Sequence, residues 1–450
     1  MQLSRALRLR PGLTVAFVGA GGKTSAIRRL ILEISNGELA PASGDPPTAA
    51  LITTTTRLGR GQESLAHYHL VDPSQDQIAG LPDLLKEHRS VLVTGPARED
   101  KWLAPADRIQ DELHRHARSS GAVFLIEADG AQGRSLKAPA EHEPVIPEFA
   151  DLVVPMAGLD VLTQAIQSEF VHRPELVAAL LDAPQGTQIG ADELVGVLAA
   201  ENGGLKRIPD GAEVRVLLNK ADSSRMETGR RIAQALLENS RIRSVALASA
   251  MEDDPVREVH GRVAGVVLAA GGSSRLGEPK QLIQWRGHPL VWYAVRAAEG
   301  LDPIVAVVGG GATELRRVLK DAQIDIVENA DWEAGQSGSV RIGLEAVAAG
   351  AEGVVFLLAD MPFVGPDLVG ALIERHRHTL APLVAARAGG RRANPVLFDQ
   401  DTFSSVAALS GDRGGRAIFR QFDREFVEWD ESILLDVDTP RDLKRLRELE

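Results

Sequence analysis

At 450 residues the chain is too long for one ordinary core, so two or three domains are expected. Its composition, 44% hydrophobic and 25% charged, is that of a globular protein, and a net charge of -12 argues against a nucleic-acid polymer as partner, because neutralising phosphates takes a basic surface. The absence of cysteine excludes disulfides, thiolate metal sites and persulfide chemistry, which makes the cytoplasm the expected compartment; no apolar run approaches the roughly 18 residues of a membrane span.

The arginine-containing N-terminus and the apolar run 13–18 imitate a signal peptide only in outline. The run leads straight into Gly19-Ala20-Gly21-Gly22-Lys23-Thr24, so a strand followed by a phosphate loop is the better reading. Further strand-like runs at 49–53, 90–94, 123–127, 152–156 and 214–218 alternate with helical patterns, as in a parallel sheet covered on both faces. A Pro-rich stretch at 41–47 reads as a surface loop.

The loop has what phosphate binding requires: amides from Gly21 and Gly22, the charge of Lys23 and the Thr24 hydroxyl for magnesium. It departs from the usual spacing, because Phe17 stands where a first glycine would be, and a merely glycine-rich turn into the helix is the alternative. Glu127 and Asp129 place two carboxylates at the end of the 123–127 strand, with Asp129 a candidate metal ligand. Asn219-Lys220-Ala221-Asp222 follows another apolar run in the pattern used to read guanine, whose N1–H and N2–H donate to a carboxylate. GTP or ATP is therefore the candidate nucleotide for this half. No base for hydrolysis stands out.

Several segments of this half resemble the YqeC family, which is associated with selenium-dependent molybdenum hydroxylases. They are 19–24, Thr53-Thr54-Thr55-Thr56, 127–131, 137–147, Gly158-Leu159-Asp160, Val171-His172-Arg173 and 219–222. The resemblance names the domain without supplying its chemistry. Lys137, Glu141, His142, Glu143, His172 and Arg173 are open to two readings, a surface or inter-loop salt-bridge network and a second substrate site.

A boundary is expected near 250–262, where 251–255 interrupts the apolar pattern, giving domains 1–255 and 262–450. The second half has strand-like runs at 263–268, 304–308, 324–327, 353–358, 383–386 and 395–398. The first opens into Leu268-Ala269-Ala270-Gly271-Gly272-Ser273-Ser274-Arg275 and, shortly after, Lys280-Gln281-Leu282. Small residues let backbone amides approach a ligand, while Arg275 and Lys280 can grip polyphosphate oxygens, so a nucleoside triphosphate is indicated. Asp360 ends the 353–358 run at the edge where open α/β sheets bind ligands, although it could also cap the next helix. Asp438 is a second carboxylate, and Asp438-Thr439-Pro440 also makes a good helix start.

This half resembles the MobA-like nucleotidyltransferases, and within them the molybdenum cofactor cytidylyltransferases of MocA type. The guanylyl branch has a glycine and an acidic residue where Ala270 and Pro279 stand here. The fold class expected is α/β with two doubly wound domains, an N-terminal P-loop-like nucleotide-binding domain and a C-terminal Rossmann-like nucleotidyltransferase domain. The resemblance implies catalytic roles for Arg275, Lys280 and Asp360, and magnesium held by Asp360 and Asp438. It implies nucleotide contacts from Leu268, Ala269, Ala270, Gly271, Gly272, Ser273, Lys280 and Ser339, with simple helix capping by Ser337 or Ser339 as the alternative. Asn394, Asp412 and Gly414 fall on the acceptor side; Ala393 replaces the family's glycine there. The implied reaction passes CMP from CTP to the terminal phosphate of molybdopterin and releases pyrophosphate, with transient contact to a molybdenum hydroxylase apoenzyme. Two other readings stand beside it, transfer to another phosphorylated acceptor and a nucleotide-gated cofactor chaperone.

Overall fold

The computed structural model describes residues 1–37, 49–272, 276–411 and 418–449, so the loop expected at 41–47 lies outside the described residues. The chain divides into two compact units, Met1–His260 and Gly261–Glu450. Among the described residues no helix is long and apolar enough to cross a membrane.

The first unit is built on nine strands: β1 (Thr14–Gly19), β2 (Ala50–Thr54), β3 (Tyr68–Val71), β4 (Ser90–Thr94), β5 (Val123–Glu127), β6 (Leu152–Gly158), β7 (Glu213–Asn219), β8 (Ile242–Ala248) and β9 (Val256–Gly261). They form one sheet in the order β9-β8-β7-β6-β1-β5-β2-β4-β3, and every pairing from β8 across to β3 is parallel. Strands β2 to β5 lie on one side of β1 and β6 to β9 on the other, so the chain reverses its direction of travel across the sheet at β1. Ligand crevices open at the carboxyl ends of strands at such a point. The next element, α1 (Lys23–Ser35), buries Ala26, Ile27, Leu30, Ile31 and Ile34, the spacing of one helical face.

The six runs read from the sequence are strands, because buried parallel strands are continuous in apolar residues. Strand β9 lies in the stretch read as the domain boundary. It belongs to the first sheet, and the 251–255 interruption is the turn before it. Its alternation was concealed because it buries Glu258 and His260 as well as Val256 and Val259. Glu258 accepts from Arg230 Nε at 3.0 Å and pairs with His260 Nε2 at 2.8 Å, the compensation that buried charge demands.

The second unit has β10 (Val263–Ala269), β11 (Ile304–Val308), β12 (Asp325–Glu328), β13 (Gly353–Leu358), β14 (Leu383–Ala388), β15 (Arg391–Asp399) and β16 (Arg424–Glu428). Their order is β12-β11-β10-β13-β15-β14-β16. The sheet is not parallel throughout. β15 runs antiparallel to both β13 and β14, and this half of the sheet is mixed. The strand order reverses between β10 and β13, which are parallel neighbours, so the crevice expected of an open sheet lies above their carboxyl ends.

Helix α2 (Gln336–Val347) crosses β10 and β11 at Gly343, where an added Cβ would come within 2.4 Å of Val266 Cγ1 and 3.1 Å of Val307 Cγ2. Both valines are fully buried and stiff. Helix propensity alone would favour Gly343→Ala by about 1 kcal/mol, whereas overpacking costs about 1–3 kcal/mol. The substitution is expected to destabilise the second unit. Urea unfolding followed by tryptophan fluorescence checks the sign, since four of the five tryptophans (Trp285, Trp292, Trp332 and Trp429) lie in that unit.

Candidate functional site

In the second unit, Leu268, Ala269 and Ala270 close the end of β10, and Gly271 and Gly272 turn outward and are exposed. Gln281 secures the turn by donating from Nε2 to Ala269 O at 3.0 Å and Gly271 O at 2.6 Å. A side chain at Gly272 would strike the Trp332 ring at 2.3 Å. The glycine is thus required by its neighbour as well as suited to a ligand. Ser273 and Arg275, and on the acceptor side Asp412 and Gly414, lie outside the described residues.

Lys280 is brought between Asp360 and Asp438, and its Nζ bonds both carboxylates. Burial alone would lower the lysine pKa, but the two aspartates outweigh it and raise it. Val437 N donates to Asp360 O at 3.0 Å, which ties the two carboxylate-bearing segments together. Asp438 is free for this role because Thr439 caps the final helix, α3 (Pro440–Arg447), through a reciprocal bond with Asp442. Asp360 Oδ1 is buried and has no hydrogen-bond partner among the described residues. An orphaned hard oxygen of this kind fits a divalent cation.

A third carboxylate, Asp436, was not singled out from the sequence. Its side chain shares the extended segment's face with Asp438, while Leu435 and Val437 are buried, a period-two signal that was available. Burial, reinforced by Asp360 and Asp438, pushes its carboxyl up to about 6. It lines a cavity of about 1050 Å³ together with Leu268, Met361, Arg391, Asn394 and Arg420. The methyl of Ala393, in the place of the family's glycine, sits in the core and pairs across the sheet with Ala386. Ser339 is buried rather than capping α2, whose cap is Gly335, and its hydroxyl accepts from Asn329 Nδ2 at 3.0 Å.

In the first unit the glycine loop packs tightly. The Gly21 amide donates to Arg134 O at 2.9 Å, and a Cβ at Gly21 would meet Gly158 N at 2.2 Å. Gly21 is therefore a packing residue, a correction to its expected amide role, and the amides offered to a ligand are those from Gly22 through Thr24 at the start of α1. Asn219 joins the loop to the end of β8, donating to Gly21 O at 2.8 Å and accepting from Ala250 N at 3.0 Å. Lys220 reaches Ser135 and Asp160, and Asp222 bonds Ser224 and Arg225.

Lys23 Nζ donates to Gly19 O at 2.5 Å and stands 3.0 Å from Asp129 Oδ1. Thr24 Oγ1 meets Glu127 Oε2 at 3.3 Å. Burial raises the Glu127 pKa, partly opposed by Lys23. Of the two expected metal ligands, Thr24 lies against Glu127, while Asp129 is paired with two lysines. The Thr24 hydroxyl and Glu127 carboxylate are a donor set that suits magnesium.

The second of those lysines is Lys137, 2.9 Å from Asp129 Oδ2 and 2.8 Å from Glu143 Oε2, and Glu143 in turn takes both Arg173 Nη groups. The surface-network reading is corrected on one point. The Lys137 side chain is 1% exposed, so this inter-loop network is buried and continuous with the glycine loop, while Glu141 and His142 are exposed and outside it.

Comparison with known proteins agrees with this division. The MobA-like NTP transferase domain matches residues 265–426, and the YqeC protein family matches residues 15–175. "Uncharacterized protein YqeC" of Escherichia coli is 31% identical over 216 residues, covering 46% of this chain and 75% of that protein. Over the second half, "Nicotine blue oxidoreductase" of Paenarthrobacter nicotinovorans is 33% identical, covering 41% of this chain and 96% of that protein. "Purine catabolism protein PucB" of Bacillus subtilis is 30% identical, covering 41% and 95%. The chain is a YqeC domain fused to a MobA-like NTP transferase domain.

The YqeC unit's buried network has a pH signature. Burial raises the Glu143 carboxyl, but bonds from Arg173 and Lys137 outweigh it and hold the pKa at about 2, below the ordinary 4.5. A depressed carboxyl contributes stability that is present above the ordinary value and lost as pH falls through the depressed one. Glu143→Gln is expected to cost about 2 kcal/mol at neutral pH, because Lys137 and Arg173 lose a shared carboxylate while Asp129 still meets Lys137. The deficit should shrink between pH 4.5 and about 2. Urea midpoints across that range, followed by hydrogen exchange of the 128–147 segment, test this; a pH-independent deficit contradicts it.

Proposed function

We propose that the transferase unit is a molybdenum cofactor cytidylyltransferase, passing CMP from CTP to the terminal phosphate of molybdopterin. The observation that carries this is the Lys280 bridge between Asp360 and Asp438 above β10 and β13, with one Asp360 oxygen left unpaired. Leu268 to Gly272 would receive the triphosphate with backbone amides, and Ala270 and Pro279 favour the cytidylyl branch. An acceptor phosphate oxygen attacks the α-phosphorus, the α–β anhydride bond breaks, and its electron pair leaves with pyrophosphate. The acceptor is already anionic, so no residue-borne nucleophile is required. Magnesium, held by Asp360 and Asp438, would supply charge compensation for the phosphates. Lys280 offsets negative charge on the transferring phosphate, and Arg391 and Asn394, beside the cavity, suit an anionic acceptor. Arg275 would extend the polyphosphate grip, Ser339 would support the base, and Asp412 and Gly414 the acceptor.

The YqeC unit is read as an accessory nucleotide site for GTP or ATP in the maturation of a molybdenum hydroxylase. Its phosphate contacts would come from Gly22, Lys23 and Thr24, and its base contacts from Lys220 and Asp222. The fusion raises the effective concentration of two consecutive steps.

Pyrophosphate release by the full chain, with magnesium, molybdopterin and either CTP or GTP, tests the transferase reading. Release with CTP is expected, and Asp360→Asn should lower it by about 10²–10³-fold. Release with GTP alone would move the unit to guanylyl transfer. Release only with simple sugar phosphates would make it a transferase for another acceptor. Cofactor delivery unaffected by Asp360→Asn would favour the chaperone. NAD(P)H-dependent reduction of a dye, with no release, would favour the chemistry in the name of the Paenarthrobacter relative.

A further inference from the structure

We propose that Asp129 occupies the position of a nucleotide phosphate in the YqeC unit, and that Lys137 acts with Lys23 as a phosphate-binding residue once Asp129 is displaced. The inference rests on reading this unit as a nucleotide site. It adds residues that the loop motif does not contain.

Three donors converge on the Asp129 carboxylate. Gly19 N–H reaches Oδ2 at 3.0 Å, Lys137 Nζ reaches Oδ2 at 2.9 Å, and Lys23 Nζ stands 3.0 Å from Oδ1. One backbone amide of a strand-to-helix loop and two ammonium groups make the surroundings that phosphate oxygens receive from proteins. The two lysine side chains are only 3% and 1% exposed, and Asp129 is itself buried. Lysine is seldom buried this deeply without an anion to justify it.

The carboxylate fills this place incompletely. Oδ1 has no hydrogen bond among the described residues although Lys23 is near, because the Lys23 ammonium is turned to the Gly19 carbonyl at 2.5 Å. Two of the three donors crowd onto Oδ2, whereas a phosphate with three terminal oxygens could give each donor an oxygen of its own. Three cations (Lys23, Lys137 and Arg173) contact two carboxylates (Asp129 and Glu143), with Glu127 nearby against Thr24, so moving Asp129 away leaves Lys23 and Lys137 in need of another anion. Lys137 Nζ also donates to Gly130 O at 2.8 Å, so Lys137 stays tied to the turn that carries Asp129 when the carboxylate moves. Glu143 and Arg173 then keep Lys137 positioned from behind. The Thr24 hydroxyl and Glu127 are adjacent, where the cation accompanying a nucleoside diphosphate or triphosphate would sit.

The test is equilibrium titration of GTP, ATP and inorganic tripolyphosphate into the full chain without magnesium. A Lys280→Ala background weakens binding by the transferase unit. Asp129→Asn removes the competing charge and is expected to tighten binding by about tenfold or more, and Lys137→Met to weaken it by a similar factor. Lys137→Arg should recover part of the loss. Unchanged or weaker binding by Asp129→Asn overturns the proposal, as does equal weakening by Lys137→Met and Lys137→Arg. If Lys137→Met does not fold, the direction of the Asp129→Asn change decides alone. If neither the parent nor any variant binds any of the three probes, the nucleotide reading of the unit fails first and takes this inference with it.

Discussion

Removing an ammonium group from water is tolerable only when carboxylates meet it with good geometry, and that constraint organises both units. In the transferase unit Lys280 draws Asp360 and Asp438 together from segments nearly eighty residues apart in sequence. In the YqeC unit Lys23 and Lys137 close on Asp129, and Lys137 and Arg173 close on Glu143. Each arrangement sits at the carboxyl edge of a largely parallel sheet, near the strand where the chain changes direction. In both places the cations are held in position by carboxylates from other segments of the chain.

The glycines of both loops answer to packing before they answer to ligands. Gly21 is pressed against Gly158, Gly22 against the Asn219 amide, and Gly272 against the Trp332 ring. Such loops hold their shape because neighbouring strands require it. The strand-end asparagine acts in the same way: Asn219 spans the loop after β1 and the loop after β8, so the Asn-Lys-x-Asp segment braces the glycine loop.

Most strands that the sequence revealed are buried apolar runs, although the exposed edge strand β12 was also legible and the buried β8 was not singled out. β9 escaped notice because its buried Glu258 is met by His260 and Arg230, a pairing that no local pattern exposes. The antiparallel course of β15 was equally hidden, since direction depends on where the chain returns and not on the strand's composition. At the sites, Lys280, Asp360 and Asp438 could be named in advance because each follows a strand or opens a helix. Asp436 carried a legible alternation but stood in the shadow of its neighbour Asp438.

The amino-acid sequence by itself determined the two-part plan, the positions of the glycine loops and the main carboxylates, and membership of both families. Those properties are local, carried by runs and short motifs. Only the tertiary structure decided which charges meet: that Lys280 joins two aspartates, that Thr24 faces Glu127 and not Asp129, and that Lys137 lies beside the glycine loop. Ion pairing is a matter of distance in space, and residues a hundred positions apart acquire that distance only when the sheets assemble.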